Sequence, residues 1–436
     1  MRTSMSLEEF AELVQMQPAE LDEVVALGVL DPAGEGSFDD FDLLRLMALR
    51  HYEALGYDVE RFAREVKSGE LEPFLGEYIF PREEPLTVEE AAERVGVDRG
   101  LLNEMLIALG WTRRGFLPED LRMLEGFKTI AEAGMPPEGS LEGARVLGDT
   151  LRRLAEALVR LVHVHIHERL MEEGLSEDEV TRRIHPLQEA ALPLLDRIVE
   201  RVFHGHFLQA DIEDAYVHLV DTDVVGGRGS VDATIVFIDV ESFTTLTETE
   251  GDQAAIDVMT RVDTLVRPLA LHHDGKVVKH IGDALMLAFR RAEDGVGFAR
   301  GLHEAARSEA GLPGLRVGIH RGPAIYHAGD YIGTTVNLAS RVTSTAAAGQ
   351  IVLTESVAEN LGDGAQIEPL GVRMLRGSER PAQLYRLAAQ EERRDPACGR
   401  TVAPPPAARL RQGDEELWFW SEECLRTFLT SAPTAA

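Results

Sequence analysis

Two aspartates stand where a chain can bring carboxylates together for metal chemistry. Asp239 follows the apolar run of residues 234–238 (TIVFI), which is typical of a buried central strand. Asp283 lies between residues 276–279 (KVVK) and 284–289 (ALMLAF), so it is predicted at the tip of a β-hairpin. Taken singly, each aspartate is typical of a cap or a turn. On adjacent strands, the pair could hold one or two hard divalent cations, with substrate phosphates completing the shell.

Such a pair points to chemistry at phosphorus. Two cations about 3.5–4 Å apart support an in-line displacement. Residues 241–244 (ESFT) then open a predicted helix, and the free N–H groups of its first turn could cradle a triphosphate.

The elements around these residues predict an α+β fold. Helices are expected at residues 251–273, 296–308 and 334–346, and further strands at 315–320, 324–327 and 351–353. Gly322 is interpreted as a turn between the first two of these strands. The order βαββαβ with an extra hairpin predicts a ferredoxin-like sandwich.

Three stretches in this order resemble the signatures of class III nucleotidyl cyclases. They are residues 237–244 (FIDVESFT), 279–283 (KHIGD) and 330–341 (DYIGTTVNLASR). The resemblance implies a cyclase catalytic domain over residues 232–388. It also implies that Asp239 and Asp283 bind two divalent cations, Mg²⁺ or Mn²⁺.

The resemblance assigns further residues to the substrate. Lys279 and Asp330 match the pair that reads adenine. Guanine presents a carbonyl where adenine has its amine, so the carboxylate disfavours GTP. Asn337 and Arg341 match catalytic positions that orient the ribose and stabilise the transferring phosphate.

Other substrate-binding positions lie near the metal residues. Phe243 and Thr244 open the predicted phosphate-binding helix, and Arg316 matches a phosphate-contacting arginine. A surface arginine within a strand is the other interpretation of Arg316.

The expected function is therefore an adenylate cyclase that converts ATP to 3′,5′-cyclic AMP and pyrophosphate. In the family, metal-binding and base-reading residues meet across a dimer interface, and this chain carries both sets. A homodimer with two sites is expected. The alternatives are a guanylate cyclase and a catalytically silent, nucleotide-sensing transcription regulator.

Residues 1–138 are predicted to form an all-α regulatory region. Two similar helical runs open at Ser6 and Thr87, each with a Glu three residues later, which is the capping-box pattern. Their spacing resembles the helix-turn-helix domain of mercury-resistance (MerR) regulators. The first run offers few basic residues, and the chain carries a formal net charge of −31, so nucleic-acid binding is not expected.

Residues 139–221 are predicted to be a helical dimerisation and transducer region. Pro186 and Pro193 predict several short helices there, and residues 222–229 read as a linker. His163, His165 and His167 could lie on a helix surface or form a pH-sensitive element.

Residues 395–431 resemble a small YHS-type metal-binding module. Cys398 and Cys424 match two of its thiols, but Trp420 stands where a further Cys is usual. Two thiolates make a poor zinc site, which favours a small aromatic-packed appendage instead.

The composition favours a reducing compartment and no membrane. The chain has only two cysteines, and no uncharged apolar run approaches the roughly 20 residues that span a bilayer. A cytoplasmic protein is expected.

Overall fold

A computed structural model describes residues 5–431, except 33–35, 72, 74–75, 82–83, 112–114, 221–228, 363–364, 379, 389–392, 403–406 and 413–414. The chain divides into two compact units, Met1–Thr222 and Asp223–Ala436. The predicted linker at 222–229 lies outside the described residues except for Gly229.

The first helical run folds around a small apolar core. Its helices are α1 (Leu7–Val14), α2 (Pro18–Ala26), α3 (Asp40–Ala54), α4 (Val59–Ser68) and α5 (Gly76–Ile79). Ser6 caps α1 reciprocally with Glu9, as the sequence pattern predicts. Phe10 and Phe62 are fully buried in the core.

The second helical run repeats part of this layout. It contains α6 (Val88–Val95), α7 (Arg99–Leu109) and α8 (Pro118–Glu132). Thr87 and Glu90 form the same reciprocal cap. A two-residue β-bridge joins Leu86 to Phe116, as another joins Met5 to Phe38 in the first run.

Two long helices and the two short helical segments between them complete the first unit. They are α9 (Pro137–Val162), a π-helical turn (His163–Glu168), α10 (Arg169–Glu172) and α11 (Glu177–Val220). The prediction of several short helices was wrong, because Pro186 and Pro193 both lie inside the 44-residue α11. Each proline removes one backbone donor, but the other turns of so long a helix keep theirs.

A mixed sheet with helices on both faces dominates the second unit, and the predicted ferredoxin-like α+β fold is confirmed. Its elements are β1 (Ser230–Val240), α12 (Phe243–Glu250), α13 (Asp252–His272), β2 (Lys276–Ile281), β3 (Ala284–Phe289), α14 (Ala292–Ser308), β4 (Leu315–His327), β5 (Asp330–Ile332), α15 (Thr334–Thr343), β6 (Ile351–Thr354), α16 (Glu355–Ala358), β7 (Ile367–Met374) and β8 (Pro381–Leu387). The strand order is β2-β3-β1-β4-β6-β8-β7, with β5 paired to β4.

The centre of strand β1, residues 235–238 (IVFI), is buried on both faces, which explains why this stretch is wholly apolar. Val236 and Ile238 face a core that includes Val262 of α13 and Phe298 of α14. Phe237 faces the opposite core, to which Ala339 of α15 belongs.

The predicted turn at Gly322 was wrong. Strand β4 runs unbroken for 13 residues and pairs with β1 from Leu315 opposite Val240 to Ile325 opposite Ser230. A Cβ at position 322 would lie 3.1 Å from Thr335 Oγ1 of α15. The glycine therefore permits close packing of a helix on the strand.

A small module follows the sheet. It consists of β9 (Arg393–Arg394), β10 (Thr401–Val402), β11 (Ala408–Gln412), β12 (Glu415–Phe419) and α17 (Glu422–Ser431). Phe419 is fully buried and packs against Phe428 at a ring-centroid distance of 5.4 Å.

Two histidines, the buried His303 and the half-buried His320, make the stability of the second unit dependent on pH. Burial, reinforced by Arg307, lowers the pKa of His303 to about 4, and burial lowers the pKa of His320 to about 4. In the unfolded chain both titrate near pH 6.5, so the unfolded state binds more protons between pH 6.5 and 4. Their stabilising contribution is complete above about pH 6.5 and is lost as the pH falls towards 4.

We expect the free energy of unfolding to fall by about 1.5 kcal/mol for each of the two histidines between pH 6.5 and pH 5. Calorimetric melting of the full chain at both pH values measures the effect. The His303→Gln variant should show a smaller loss than the wild type. An equal loss in a variant with both His303→Gln and His320→Asn would assign the pH dependence to other groups.

Candidate functional site

The two predicted metal aspartates meet at one end of the sheet. Asp239 is the penultimate residue of β1 and pairs with Ala284, the first residue of β3. Asp283 directly precedes that residue in the β2–β3 turn, where Gly282 has a φ of 63°. The antiparallel pairing of β1 with β3 therefore brings the two carboxylates together, as the strand pattern predicts.

The electrostatics of the pair fit a bound cation. Burial raises the pKa of Asp239, the Arg316 guanidinium opposes this rise, and the neighbouring Asp283 carboxylate adds to it. Two partly buried carboxylates repel each other, and a divalent cation between them would relieve that repulsion. Oxygen ligands of this kind suit Mg²⁺ and Mn²⁺.

Arg316 lies directly opposite Asp239 in the pairing of β4 with β1. Its Nη2 is 2.9 Å from Asp239 Oδ2. Its Nε is buried and has no hydrogen-bond partner among the described residues. The guanidinium therefore retains one N–H donor that no described group satisfies.

The predicted phosphate-binding helix begins beside Asp239. Helix α12 starts at Phe243, and Ser242 before it has a left-handed backbone with φ 57°. The Ser242 side chain does not cap the helix, which leaves the N–H groups of the first turn to other acceptors. The side chain of Phe243 packs against the apolar core, so Phe243 and Thr244 can offer their backbones to an anion.

The two base-reading candidates form an ion pair. The ammonium of Lys279, on edge strand β2, contacts the carboxylate of Asp330, the first residue of β5. The β2–β3 register shifts between Val277 and Lys279. The Tyr331 N–H also donates to Asp330 Oδ1 at 2.8 Å, which orients the carboxylate.

Helix α15 carries the remaining two candidates. Asn337 and Arg341 are four residues apart, so they lie on the same side of the helix. Gly333, with a φ of 132°, precedes the helix. The Arg341 guanidinium approaches Gly377, where an added Cβ would lie 3.4 Å from it.

The predicted site residues that carry charge form two separate groups of ionic contacts. Asp239, Asp283 and Arg316 form one, and Lys279 and Asp330 form the other.

The sequence analysis did not predict the contact of His280 with helix α13. His280 Nε2 lies 3.4 Å from Asp263 Oδ1 of α13, and Arg267 Nη2 lies 3.4 Å from the other oxygen of that carboxylate. Side chains alternate along a strand, so His280 points away from its neighbour Lys279. The alternation of side chains along β2 could have indicated from the sequence that His280 lies on the face opposite Lys279.

Comparisons with known proteins find relatives of the part of the chain that carries this site. Residues 228–389 match the family model described as the adenylate and guanylate cyclase catalytic domain. The chain is 28% identical over 316 residues to a pH-sensitive adenylate cyclase of Mycobacterium tuberculosis, covering 69% of this chain and 78% of the relative. It is 28% identical over 355 residues to an adenylate cyclase of Streptomyces coelicolor, covering 77% and 88%.

Among solved structures, the adenylyl cyclase CyaB of P. aeruginosa is 25% identical, with a TM-score of 0.33, over 37% of this chain and 96% of that one. Within the described residues, no helix combines the length and the apolar character needed to cross a membrane.

Proposed function

We propose that this chain, whose residues 228–389 form a catalytic domain of the class III nucleotidyl cyclase family, is an adenylate cyclase. The substrate is ATP, and the products are 3′,5′-cyclic AMP and pyrophosphate. The observation that carries the proposal is the joint presence of the Asp239–Asp283 carboxylate pair and the Lys279–Asp330 pair.

The chain's own groups account for binding and orientation. The ribose 3′-oxygen forms a bond to the α-phosphorus while the bond from that phosphorus to the pyrophosphate oxygen breaks. Donors to the charged phosphate oxygens would be the backbone N–H groups in the first turn of α12, which the Ser242 side chain does not cap, and the Arg316 guanidinium, whose Nε has no partner among the described residues. Arg341 would supply a second guanidinium, and Asn337 would orient the ribose. Two divalent cations held by the aspartates would lower the pKa of the 3′-hydroxyl.

The preference for ATP rests on donor and acceptor chemistry. A carboxylate at position 330 accepts a hydrogen bond from the exocyclic amine of adenine, and the Lys279 ammonium donates to a ring nitrogen. Guanine would place a carbonyl oxygen against the carboxylate, which leaves two acceptors facing each other. The relatives named as adenylate cyclases support the same choice.

The two ionic groups also support a homodimer. A two-fold axis repeats every contact, so a metal-binding group of one subunit and a base-reading group of the other would complete two equal sites.

The test is cyclic nucleotide production by the purified full chain with Mg²⁺ or Mn²⁺, given ATP or GTP separately. Cyclic AMP from ATP at a rate at least about ten times that of cyclic GMP from GTP is expected. A preference for GTP would establish the guanylate cyclase alternative. Product from neither substrate, with nucleotide still bound, would favour a nucleotide-sensing regulator.

Regulation through residues 1–221 is proposed as well, and pH is the candidate signal. The rings of His163 and His167 stack at a centroid distance of 4.7 Å in the π-helical turn. Glu168 accepts contacts from His163 at 3.5 Å and from Arg160 at 3.8 Å. Protonation of both rings would place like charges in contact. One relative is named as pH-sensitive.

The same assay between about pH 5.5 and 8 tests this regulation. We expect the full chain to show a pH dependence that is reduced in a variant with His163→Gln and His167→Gln. Activity indifferent to pH over that range would contradict it. If deletion of residues 1–221 left activity and its regulation unchanged, the helical region would have no regulatory role.

A further inference from the structure

The only two cysteines of the chain face each other in the C-terminal module. Cys398 lies between β9 and β10, and Cys424 lies in the first turn of α17. Their sulfur atoms are 3.5 Å apart, although 26 positions separate them in sequence. Cys398 is exposed and Cys424 is half-buried, so a small oxidant can reach the pair from solvent.

The surroundings of the thiols do not suit a metal ion. Asp395 is near enough to be a third ligand, but its carboxylate is already used. Its Oδ1 accepts the N–H groups of Ala397 at 2.7 Å and Cys398 at 3.2 Å, and its Oδ2 accepts that of Trp420 at 2.7 Å. Burial alone would raise the pKa of Asp395, but these donors lower it on balance. The carboxylate therefore ties two backbone segments together.

The ligand count also disfavours a cation at this position. Among the described residues, the group that could hold a metal ion has three members, Asp395 and the two thiols, whereas a structural zinc site takes four protein ligands. Two sulfur atoms remain, held at contact distance by a rigid frame.

We propose that Cys398 and Cys424 are a dithiol site that hydrogen peroxide converts into an intramolecular disulfide. A shortening of the sulfur separation from 3.5 Å to about 2.05 Å is the movement required. The thiolate of the exposed Cys398 attacks one peroxide oxygen, which forms a sulfenic acid and releases water after protonation. The Cys424 sulfur then attacks the Cys398 sulfur, the S–O bond breaks, and a second water leaves. Two thiols and one peroxide thus give one disulfide and two waters.

The environment of Cys398 changes the pKa of its thiol and therefore the pH at which peroxide oxidises it. The Arg400 backbone N–H lowers the pKa of the Cys398 thiol, but desolvation, the Cys424 thiol and Asp395 outweigh it and raise the pKa. The thiolate is the reactive form, so oxidation accelerates towards alkaline pH.

The experiment uses the reduced full chain, treated with hydrogen peroxide, alkylated and digested without reductant. Mass spectrometry should find the peptide of Cys398 linked to that of Cys424, lighter by two hydrogens and separated again by dithiothreitol. In Cys424→Ser the sulfenic acid of Cys398 has no partner and should be trapped by dimedone. The linking rate should rise at least about tenfold from pH 7 to pH 9.

Three results would overturn the proposal. One is sulfinic or sulfonic acid at both cysteines of the wild-type chain without a linked peptide. Another is a disulfide between two chains instead of within one. The third is stoichiometric Zn²⁺ binding by the reduced chain that depends on both thiols and blocks linking. Circular dichroism of Cys424→Ser and Cys398→Ser checks that the variants are folded.

Discussion

Replacement of Asp283 by alanine is expected to lower cyclic AMP formation from ATP by about 1000-fold, the size of effect seen when a group that stabilises transition-state charge is removed. Asp283 lies in the turn next to Asp239, and one carboxylate alone is a weak ligand set for a divalent cation. Steady-state kinetics with saturating Mn²⁺ measure the loss, which should appear in kcat.

The loss should not come from unfolding. Removal of Asp283 eliminates a negative neighbour that raises the pKa of Asp239, so the melting temperature should stay the same or rise. Asp232→Ala is the matched control, because this carboxylate lies on β1, the strand that carries Asp239, and pairs with Arg321 away from the site. Near-normal activity in Asp283→Ala would remove the basis for a carboxylate-bound metal.

The composite site gives this variant a second readout. If each site draws on two subunits, an equal mixture of Asp283→Ala and Asp330→Ala chains forms heterodimers with one intact site. Random pairing makes half of the dimers mixed, so activity should recover to about a quarter of the wild type. No recovery after subunit exchange would indicate that each chain builds its site alone.

Replacement of Asp330 by alanine is expected to lower kcat/KM for ATP on the order of 100-fold, while that for GTP falls little or rises. The carboxylate would accept a hydrogen bond from the adenine amine, and a charged hydrogen bond of this kind is worth about 1.5–3 kcal/mol. Its ion pair with Lys279 and the N–H of Tyr331 hold it in place. The ratio of kcat/KM for the two substrates measures selectivity independently of total activity.

A double variant makes this prediction sharper. Lys279→Glu combined with Asp330→Ser exchanges donor for acceptor, and it should turn the preference towards GTP. Glu368→Ala, which breaks an exposed ion pair between Glu368 of β7 and Arg386 of β8, is a control that should leave the ratio unchanged. An ATP-to-GTP ratio that keeps its wild-type value in both Asp330 variants would show that other residues read the base.

The catalytic unit could largely be predicted from sequence because its signals are local. The apolar run before Asp239 and the hairpin that carries Asp283 each fix a strand, and antiparallel pairing then fixes their meeting. Gly322 misled the prediction, because a glycine that permits a turn and one that admits a packed helix look alike in sequence. The two cases are distinguished only in the structure, by the short distance from position 322 to the side chain of Thr335.

Other features depend on partners that lie far away in sequence. The Arg316 contact with Asp239 follows from a strand register between residues 77 positions apart, which no local pattern reveals. Each proline of α11 removes one backbone hydrogen-bond donor, as the sequence predicts. The hydrogen bonds of the other turns nevertheless keep the helix continuous. The approach of Cys398 to Cys424 depends on where Asp395 binds the backbone of Trp420.

The position of each strand in the sheet bears on how such a protein can diversify. Strand β1, which carries Asp239, is hydrogen-bonded on both sides and buried on both faces, whereas Lys279 lies on the outermost strand β2 and Asp330 on the short β5 beyond the main strand order. A substitution on β1 disturbs two cores, whereas Lys279 and Asp330 belong to neither core and each leaves about a third of its side chain exposed. The machinery for phosphate chemistry is thus tied to the stability of the domain, while the choice of base can drift at the periphery.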